Sequence, residues 1–376
     1  MYKFSRLAVT LVGLSLLLLG LVFGGAYLIL PFLYRGVDLL EVSLALVSLA
    51  ALLVGFGLAL TYQGLEALLG RPSRRFVPPP ARLMALGFFL ALAGGEIVLL
   101  FSPPRVASFL FPPFHILAST LPAGAVVALV GRRVASDSTW RAITLQASHG
   151  AILSPLLAFG LELFTLLFLL GAVLFLFRPD RGVGLDWLED PVSLSRLILS
   201  RPVLIGVGVI FMIVAPLLEE FIKSLGVPLF GSGLQKRGDA FLWGVTCGAG
   251  FSALEGLING GVAREGWWVV MLFRWGATLM HALASGLMGL GWYGFLARRR
   301  PWQLLGAYGA SVGVHALWNG AAMALIALSS LAPISLEEPL ALVGVGMGAL
   351  VTLLFMLVLI VAMGGGLFYL ARRQEG

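Results

Sequence analysis

The hydrophobic segments between residues 215 and 319 carry eight polar or ionisable side chains whose types and spacing could support catalysis. They are Glu219, Glu220, Lys223, Glu255, Arg274, His281, His315 and Asn319. An ionisable group at the centre of a membrane helix costs roughly 2.5–3.5 kcal/mol on insertion scales, so such groups usually face a bundle interior and mark a functional site. Because the eight residues fall on four consecutive hydrophobic segments, we expect them to form one site.

Glu219 and Glu220 form an adjacent carboxylate pair, with Lys223 four and three residues further on. Helical spacing places the ammonium within reach of either carboxylate, and Pro216 is expected to kink the helix just before the pair. Two carboxylates in a low-dielectric site cannot both ionise cheaply, so one holds a proton while the other can accept one. This arrangement suits general acid–base catalysis. The alternative is that the pair ends the membrane span in water, with Lys223 as an ordinary surface partner.

The next two segments carry Glu255, Arg274 and His281. Arg274 lies deep enough in its segment to need a carboxylate partner, and Glu255 or Glu265 is the natural candidate. His281 lies two helical turns beyond Arg274 and can accept or donate a proton near neutral pH. These two segments therefore offer a third carboxylate and a proton carrier to the same site.

His315 and Asn319 are one helical turn apart in the fourth segment. Their N–H groups could stabilise the oxyanion that forms when a carbonyl group is attacked. For any single histidine of this kind, a hydrogen bond between helices is the alternative. Ser285 is a poor candidate nucleophile, because the further acid–base pattern of a catalytic triad does not accompany it.

The composition is that of an integral membrane protein, with 59% hydrophobic and only 11% charged residues. Runs of 18 or more mostly apolar residues can each cross a hydrocarbon core of ~30 Å as helix, and the alternation of an outer-membrane barrel is absent. We therefore predict an all-α polytopic bundle of about ten transmembrane helices. The predicted spans are residues 7–34, 38–62, 82–102, 107–130, 150–177, 202–227, 239–261, 267–296, 302–330 and 339–370. In the seventh span, Gly244 and Gly248 are spaced to let a neighbouring backbone approach closely.

The chain has a formal net charge of +7, and its arginines concentrate in alternate loops. This distribution follows the positive-inside rule of membrane proteins. Both termini are therefore expected in the cytoplasm, and the charge does not indicate a nucleic-acid partner. A single cysteine, Cys247, leaves no pair for a disulfide within the chain.

Three parts are expected along the chain. Residues 1–200 hold the first five spans, a basic cytoplasmic linker (63–81) and an outer connector (178–201) whose Trp187 is expected at headgroup level. Residues 201–330 hold the polar site, and residues 331–376 hold the last span and a basic tail. The first five spans carry only isolated polar residues, for which packing or interfacial roles are favoured over function: Glu96, His115, His149 and Glu162.

The order of the polar motifs resembles the PrsW family of intramembrane proteases, which belongs with the CAAX-processing and bacteriocin-processing membrane proteases. The motifs are Glu219-Glu220-x-x-Lys223, Phe251-x-x-x-Glu255, Arg274 followed by His281, and His315-x-x-Trp318-Asn319, within about residues 200–325. CAAX-type relatives carry histidine in the second motif, so Glu255 favours PrsW. The resemblance implies an endopeptidase of a prokaryotic plasma membrane, acting on a membrane-anchored protein such as an anti-sigma factor.

Hydrolysis within a membrane needs an activated water, an acid for the leaving amine and donors for the oxyanion. We expect Glu219 or Glu220 to activate the water, and the resemblance favours Glu219. The other expected roles are positioning and proton transfer by Glu255 and His281, control of carboxylate ionisation by Lys223 and Arg274, and oxyanion stabilisation by His315 and Asn319. For the carboxylates to meet at similar depth, the sixth span has to continue past Lys223 towards Phe230 and the seventh has to begin after residue 239.

No metal cofactor is expected, because H-E-x-x-H is absent and one polar residue per helix equally suits a metal-free glutamate mechanism. Zinc is the alternative, and its ligands would be Glu219, Glu255, His281 and His315. A proton-coupled transporter or channel with a buried relay is the second hypothesis, and a non-catalytic membrane scaffold is the third. A transporter would favour repeated halves, which are not evident in the sequence.

Overall fold

The structure is a computed structural model that describes residues 3–33, 40–176, 201–230, 236–261, 266–331 and 339–374. In these ranges there are only helices, apart from one isolated antiparallel bridge between Arg75 and Thr139. The helices are α1 (Lys3–Leu33), α2 (Leu40–Leu68), α3 (Ala81–Phe101), α4 (Pro104–Gly131), α5 (Trp140–Ser148), α6 (Ser154–Leu176), α7 (Arg201–Val209), α8 (Ala215–Ser224), α9 (Gly226–Phe230), α10 (Arg237–Gly261), α11 (Trp267–Arg298), α12 (Pro301–Leu331) and α13 (Pro339–Arg372). Two π-helical segments, His149–Leu153 and Ile210–Val214, join α5 to α6 and α7 to α8.

The part of the chain that the structure describes contains nine helical runs long and apolar enough to cross a membrane. The prediction of an all-α polytopic membrane protein is therefore confirmed. Helix α11, which corresponds to the eighth predicted span, is not among the nine. Its 32 residues give it a length of about 48 Å, so it is long enough to span but less apolar than the others.

The chain forms two compact units, which are described separately. The first unit comprises Met1–Pro155, Lys223–Ser311 and Ile360–Gly376. The second comprises Leu156–Ile222 and Val312–Leu359.

Helix α10 is the central helix of the first unit and packs against α2, α4, α5 and α11. Its contact with α11 depends on glycine, because a Cβ atom on Gly248 would collide with the carbonyl oxygen of His281. A Cβ atom on Gly244 would likewise collide with the carbonyl oxygen of Ser285. The close approach predicted from the spacing of these two glycines is confirmed.

The linker before α3 is shorter than predicted, because α2 continues to Leu68. Gly64 and Ala67 are buried against α1, and the Arg6 Nη1 atom donates a hydrogen bond to the Ala67 carbonyl at 3.0 Å. These contacts extend the helix beyond the end of its apolar run.

The fifth span begins ten residues earlier than predicted, at Trp140. Thr139 caps this start, since its side chain accepts a hydrogen bond from the backbone N–H of Ala142 at 3.3 Å. The predicted outer connector with Trp187 lies in residues 177–200, outside the described residues.

Helices α8 and α9 carry the sixth span to Phe230, as the site required. The expectation that the seventh span begins after residue 239 was wrong, because α10 begins at Arg237. The Asp239 carboxylate fixes this start by accepting hydrogen bonds from the Ser136 and Ser138 hydroxyls, at 2.5 and 2.7 Å.

Candidate active site

In the first unit, Glu255 on α10 binds two side chains of α11. Its Oε2 atom accepts hydrogen bonds from Arg274 Nη2 at 2.9 Å and from His281 Nε2 at 2.6 Å. Asn259 Nδ2 donates to the other carboxylate oxygen at 3.3 Å. Of the two partners predicted for Arg274, the structure gives Glu255, while Glu265 lies outside the described residues.

Lys223 forms a hydrogen bond with the second ring nitrogen of His281, Nδ1. Its Nζ atom lies 2.9 Å from His281 Nδ1 and 4.2 Å above the ring centre of Phe251. An ammonium group has only N–H donors, so Nδ1 accepts and the ring proton lies on Nε2, where it is donated to Glu255. Lys223 and His281 are both fully buried, and the histidine is thereby held between a cation and a carboxylate.

The packing of α10 on α11 explains why these residues meet. Gly248 lies directly beneath the His281 carbonyl, so the two helix axes are close where Glu255 faces α11. One turn before Glu255, Ser252 forms a 2.8 Å hydrogen bond with Thr278 across the same contact. The side chains of Glu255 and His281 therefore need no long reach to meet.

In the second unit, His315 on α12 faces the carboxylate pair of α8. His315 Nδ1 lies 2.7 Å from Glu220 Oε1, and its Nε2 lies 3.9 Å from Glu219 Oε2. Glu220 and His315 are almost completely buried, whereas the Glu219 side chain keeps 12% of its accessible surface. The adjacent glutamates are therefore not equivalent, because Glu220 orients the ring and Glu219 faces the other nitrogen.

Asn319 lies one turn beyond His315 and donates from Nδ2 to the carbonyl oxygen of Phe211 at 2.9 Å. Phe211 is in the π-helical segment, where Ala215 donates its N–H to Ile210, five residues earlier. The next residue in this pattern is Pro216, which has no N–H for the Phe211 carbonyl. The amide of Asn319 supplies the missing donor. Pro216 directly follows this π-helical turn, and the kink expected there stays a prediction.

Sequence reasoning did not find the contact between Lys223 and His281. Intrahelical spacing placed the ammonium near Glu219 and Glu220, and it cannot show a partner on another helix. The sequence does contain one indication of this contact, which is Phe251, one turn before Glu255. The Lys223 ammonium lies over its ring in a cation–π contact.

Two isolated polar residues in the first unit have structural partners. His115 accepts a hydrogen bond at Nδ1 from Trp267 Nε1 at 3.1 Å, and its Nε2 lies 3.0 Å from the Leu257 carbonyl. Glu96 accepts a hydrogen bond from the backbone N–H of Trp268 at 3.1 Å, in the first turn of α11. These hydrogen bonds agree with the packing roles favoured for the two residues, which stay predictions.

A comparison with protein families decides the class of this chain. The model of the PrsW family of intramembrane metalloproteases matches residues 160–363, a little over half of the chain. The chain belongs to the PrsW family. As a PrsW member it is a multi-pass membrane peptidase, and nothing found supports the transporter hypothesis. No curated protein and no solved structure matches the chain.

The description of PrsW proteins as metalloproteases makes a metal cofactor possible here. Glu219 and His315 offer a carboxylate oxygen and a ring nitrogen of the types that zinc binds, and these atoms lie 3.9 Å apart, whereas two ligand atoms of a tetrahedral zinc lie about 3.4 Å apart, so a small movement would let both bind one ion. The bond between His315 Nδ1 and Glu220 is the carboxylate support that metal-bound histidines usually have. His281 has similar support from Glu255 at Nε2, but the Lys223 ammonium lies at its Nδ1.

Proposed function

We propose that this protein hydrolyses a peptide bond of a membrane-anchored protein, with Glu219 as the group that activates water. The observation that carries the proposal is a pair of buried carboxylate–histidine contacts, Glu220 with His315 and Glu255 with His281. Burying such groups is costly, and the apolar sequence around them offers no structural need for them. A substrate that is itself anchored in the membrane follows from the family, and its identity stays a prediction.

The proposed roles follow from the partners of each group. Glu219 accepts a proton from water as the oxygen attacks the carbonyl carbon, and it passes this proton to the leaving amine when the C–N bond breaks. Glu220 holds the His315 ring so that Nε2 faces the reacting groups. The oxyanion role expected for Asn319 and His315 is assigned to His315, which donates from Nε2 when its ring carries both protons, because Asn319 Nδ2 already donates to the Phe211 carbonyl.

His281 and Glu255 act as a second proton-transfer pair. Arg274 keeps Glu255 ionised through their 2.9 Å contact. Lys223 keeps the ring proton of His281 on Nε2. These assignments keep Lys223 and Arg274 as positioning residues.

We infer that the two clusters serve one reaction from the continuity of α8. This helix carries Glu219 and Glu220 within one turn of Lys223, the residue that holds His281. A metal, if the enzyme uses one, would be held by Glu219 and His315, which face each other within the second unit. Zinc at such a site would polarise the scissile carbonyl and make a bound water more acidic.

The function is tested by comparing membrane proteins from cells with the wild-type protein, with Glu219→Gln and without the protein. Wild-type cells should contain fragments whose new ends lie in or next to a membrane span, and Glu219→Gln cells should lack them. Glu66→Gln, which changes a carboxylate that pairs with Arg71 on the surface of α2, is the matched control and should leave the fragments in place. Identical fragments in Glu219→Gln cells would exclude Glu219 as the base.

A further inference from the structure

The first unit contains a cavity of about 460 Å³ that the proposed reaction does not use. It lies among α2, α3, α4, α5 and α10, and almost all of its lining atoms are apolar. Water binds poorly in such a cavity, because a buried water needs two to four polar partners. An apolar ligand would restore the packing contacts that the lining side chains otherwise lack.

The length of the cavity matches one leaflet of a bilayer. Its lining on α10 runs from Thr246 to Leu257, which at 1.5 Å per residue is about 16 Å. Half of a hydrocarbon core of ~30 Å is about 15 Å. A lipid acyl chain that extends from the headgroup level to the bilayer centre has this length, whereas a compact ligand would not fill it.

Two arginines, Arg74 and Arg132, are hydrogen-bonded to residues at the end of the cavity that Phe76, Pro79 and Trp140 line. The Trp140 N–H donates to the Arg74 carbonyl at 3.0 Å, and Arg132 Nη2 donates to the Pro78 carbonyl at 3.4 Å. Both arginines are exposed, and neither forms an ion pair within the described part of the chain. The acid of this loop, Asp137, already pairs with Lys236 and Arg75.

We propose that this cavity binds one acyl chain of an anionic glycerophospholipid from the surrounding bilayer. The headgroup phosphate would lie between Arg74 and Arg132, since guanidinium groups match phosphate oxygens in geometry and charge. Basic clusters beside transmembrane helices select anionic over zwitterionic lipids for this reason. The bound chain packs against the face of α10 opposite Glu255, so it supports the helix that carries this carboxylate.

The unchanged protein provides the first test. It is reconstituted in vesicles that contain phosphatidylglycerol or phosphatidylcholine, each with the same photoreactive acyl chain. Peptides that cover residues 51–59 and 116–128 should be labelled at least about fivefold more by the phosphatidylglycerol probe. Equal labelling by both probes, or labelling confined to other helices, would overturn the proposal.

Two pairs of variants then separate the chain-binding and headgroup parts. A Cβ atom on Gly55, which lines the cavity, meets no atom within 4 Å, so Gly55→Phe is designed to place a ring in the cavity. Gly25→Phe adds the same ring at an equally open position on α1. Labelling should be lost only in Gly55→Phe. The double variant Arg74→Gln, Arg132→Gln should lose the preference for phosphatidylglycerol, whereas Arg298→Gln, Arg300→Gln should keep it. Retained labelling in Gly55→Phe, or retained preference in the first arginine variant, would contradict the proposal.

Discussion

Two buried histidines of the first unit differ in what surrounds their rings. His115 lies between the Trp267 indole and the Leu257 carbonyl, both of which are neutral. His281 lies between the Lys223 ammonium and the Glu255 carboxylate. A ring between opposite charges can pass a proton towards the carboxylate, whereas a ring between neutral partners holds two helices together. Burial alone does not distinguish these roles, since both rings are almost completely buried.

The variant His115→Leu should therefore lower stability and leave the chemistry intact. It leaves the buried Trp267 N–H without its partner, which costs about 1–3 kcal/mol in unfolding free energy, and it removes the second hydrogen bond to the Leu257 carbonyl. Thermal unfolding in detergent should show the loss, while cleavage per folded molecule stays within about twofold of the wild type. The matched variant His281→Leu should lose turnover even when cleavage is measured per folded molecule. A large loss of turnover in folded His115→Leu would give His115 a catalytic role that its partners do not explain.

At this scale the sequence predicts partners in some cases and not in others. The pair of Glu255 with Arg274 was predictable, because a deep arginine needs a carboxylate and few are available. The contact of Lys223 with His281 was not, because it depends on how α8 meets another helix. The bond from Asn319 to Phe211 depends on a π-helical turn, which hydrophobic periodicity does not reveal.

The packing of α10 against α11 positions half of the polar site. The Ser285 and His281 carbonyl groups of α11 occupy the space that a side chain at Gly244 or at Gly248, respectively, would need. The spacing of these glycines was readable in the sequence, and so were the long apolar runs that became helices. The start of the fifth span at Trp140 was not, because α5 is much less apolar than the membrane segments and its start is set by the Thr139 cap.

Replacement of Gly248 by alanine should separate α10 from α11. The added Cβ would collide with the His281 carbonyl, and relief of such overpacking typically costs about 1–3 kcal/mol. Both the unfolding temperature and the cleavage rate should fall, since Glu255 and His281 move apart. Gly25→Ala is the control, because a Cβ there meets no atom within 4 Å. Unchanged stability and activity in Gly248→Ala would show that the close approach is not needed.

For the whole molecule, the number of membrane crossings decides on which sides the two termini lie. Nine described runs are apolar enough to cross, and α11 is a tenth helix of sufficient length. Its lower apolarity follows from the residues that make it functional, Arg274 and His281 among them. Polar active-site residues lower the mean hydropathy of a helix, so a hydropathy criterion alone omits α11. The sequence-based count of ten includes α11 because it rests on segment length and on the charges of the loops.

Ten crossings place both termini on the same side of the membrane, whereas nine place them on opposite sides. A tag at each terminus, probed in intact and in permeabilised cells, should therefore show equal accessibility. We expect both tags to be protected in intact cells, because the arginine-rich loops predict a cytoplasmic location. Exposure of one tag only would contradict the count of ten, because it requires an odd number of crossings.

The central claim is that Glu219 and His281 act in one reaction, and a double-mutant cycle tests it most directly. Cleavage of a substrate found in the membrane comparison is measured for wild type, Glu219→Gln, His281→Leu and the double variant. Each single change should reduce the rate by roughly 10²–10⁴-fold, as loss of an acid–base group does. If both groups serve one step, the double variant should be little slower than the slower single variant. Multiplication of the two losses would contradict the account, because it would mean that the two clusters act independently.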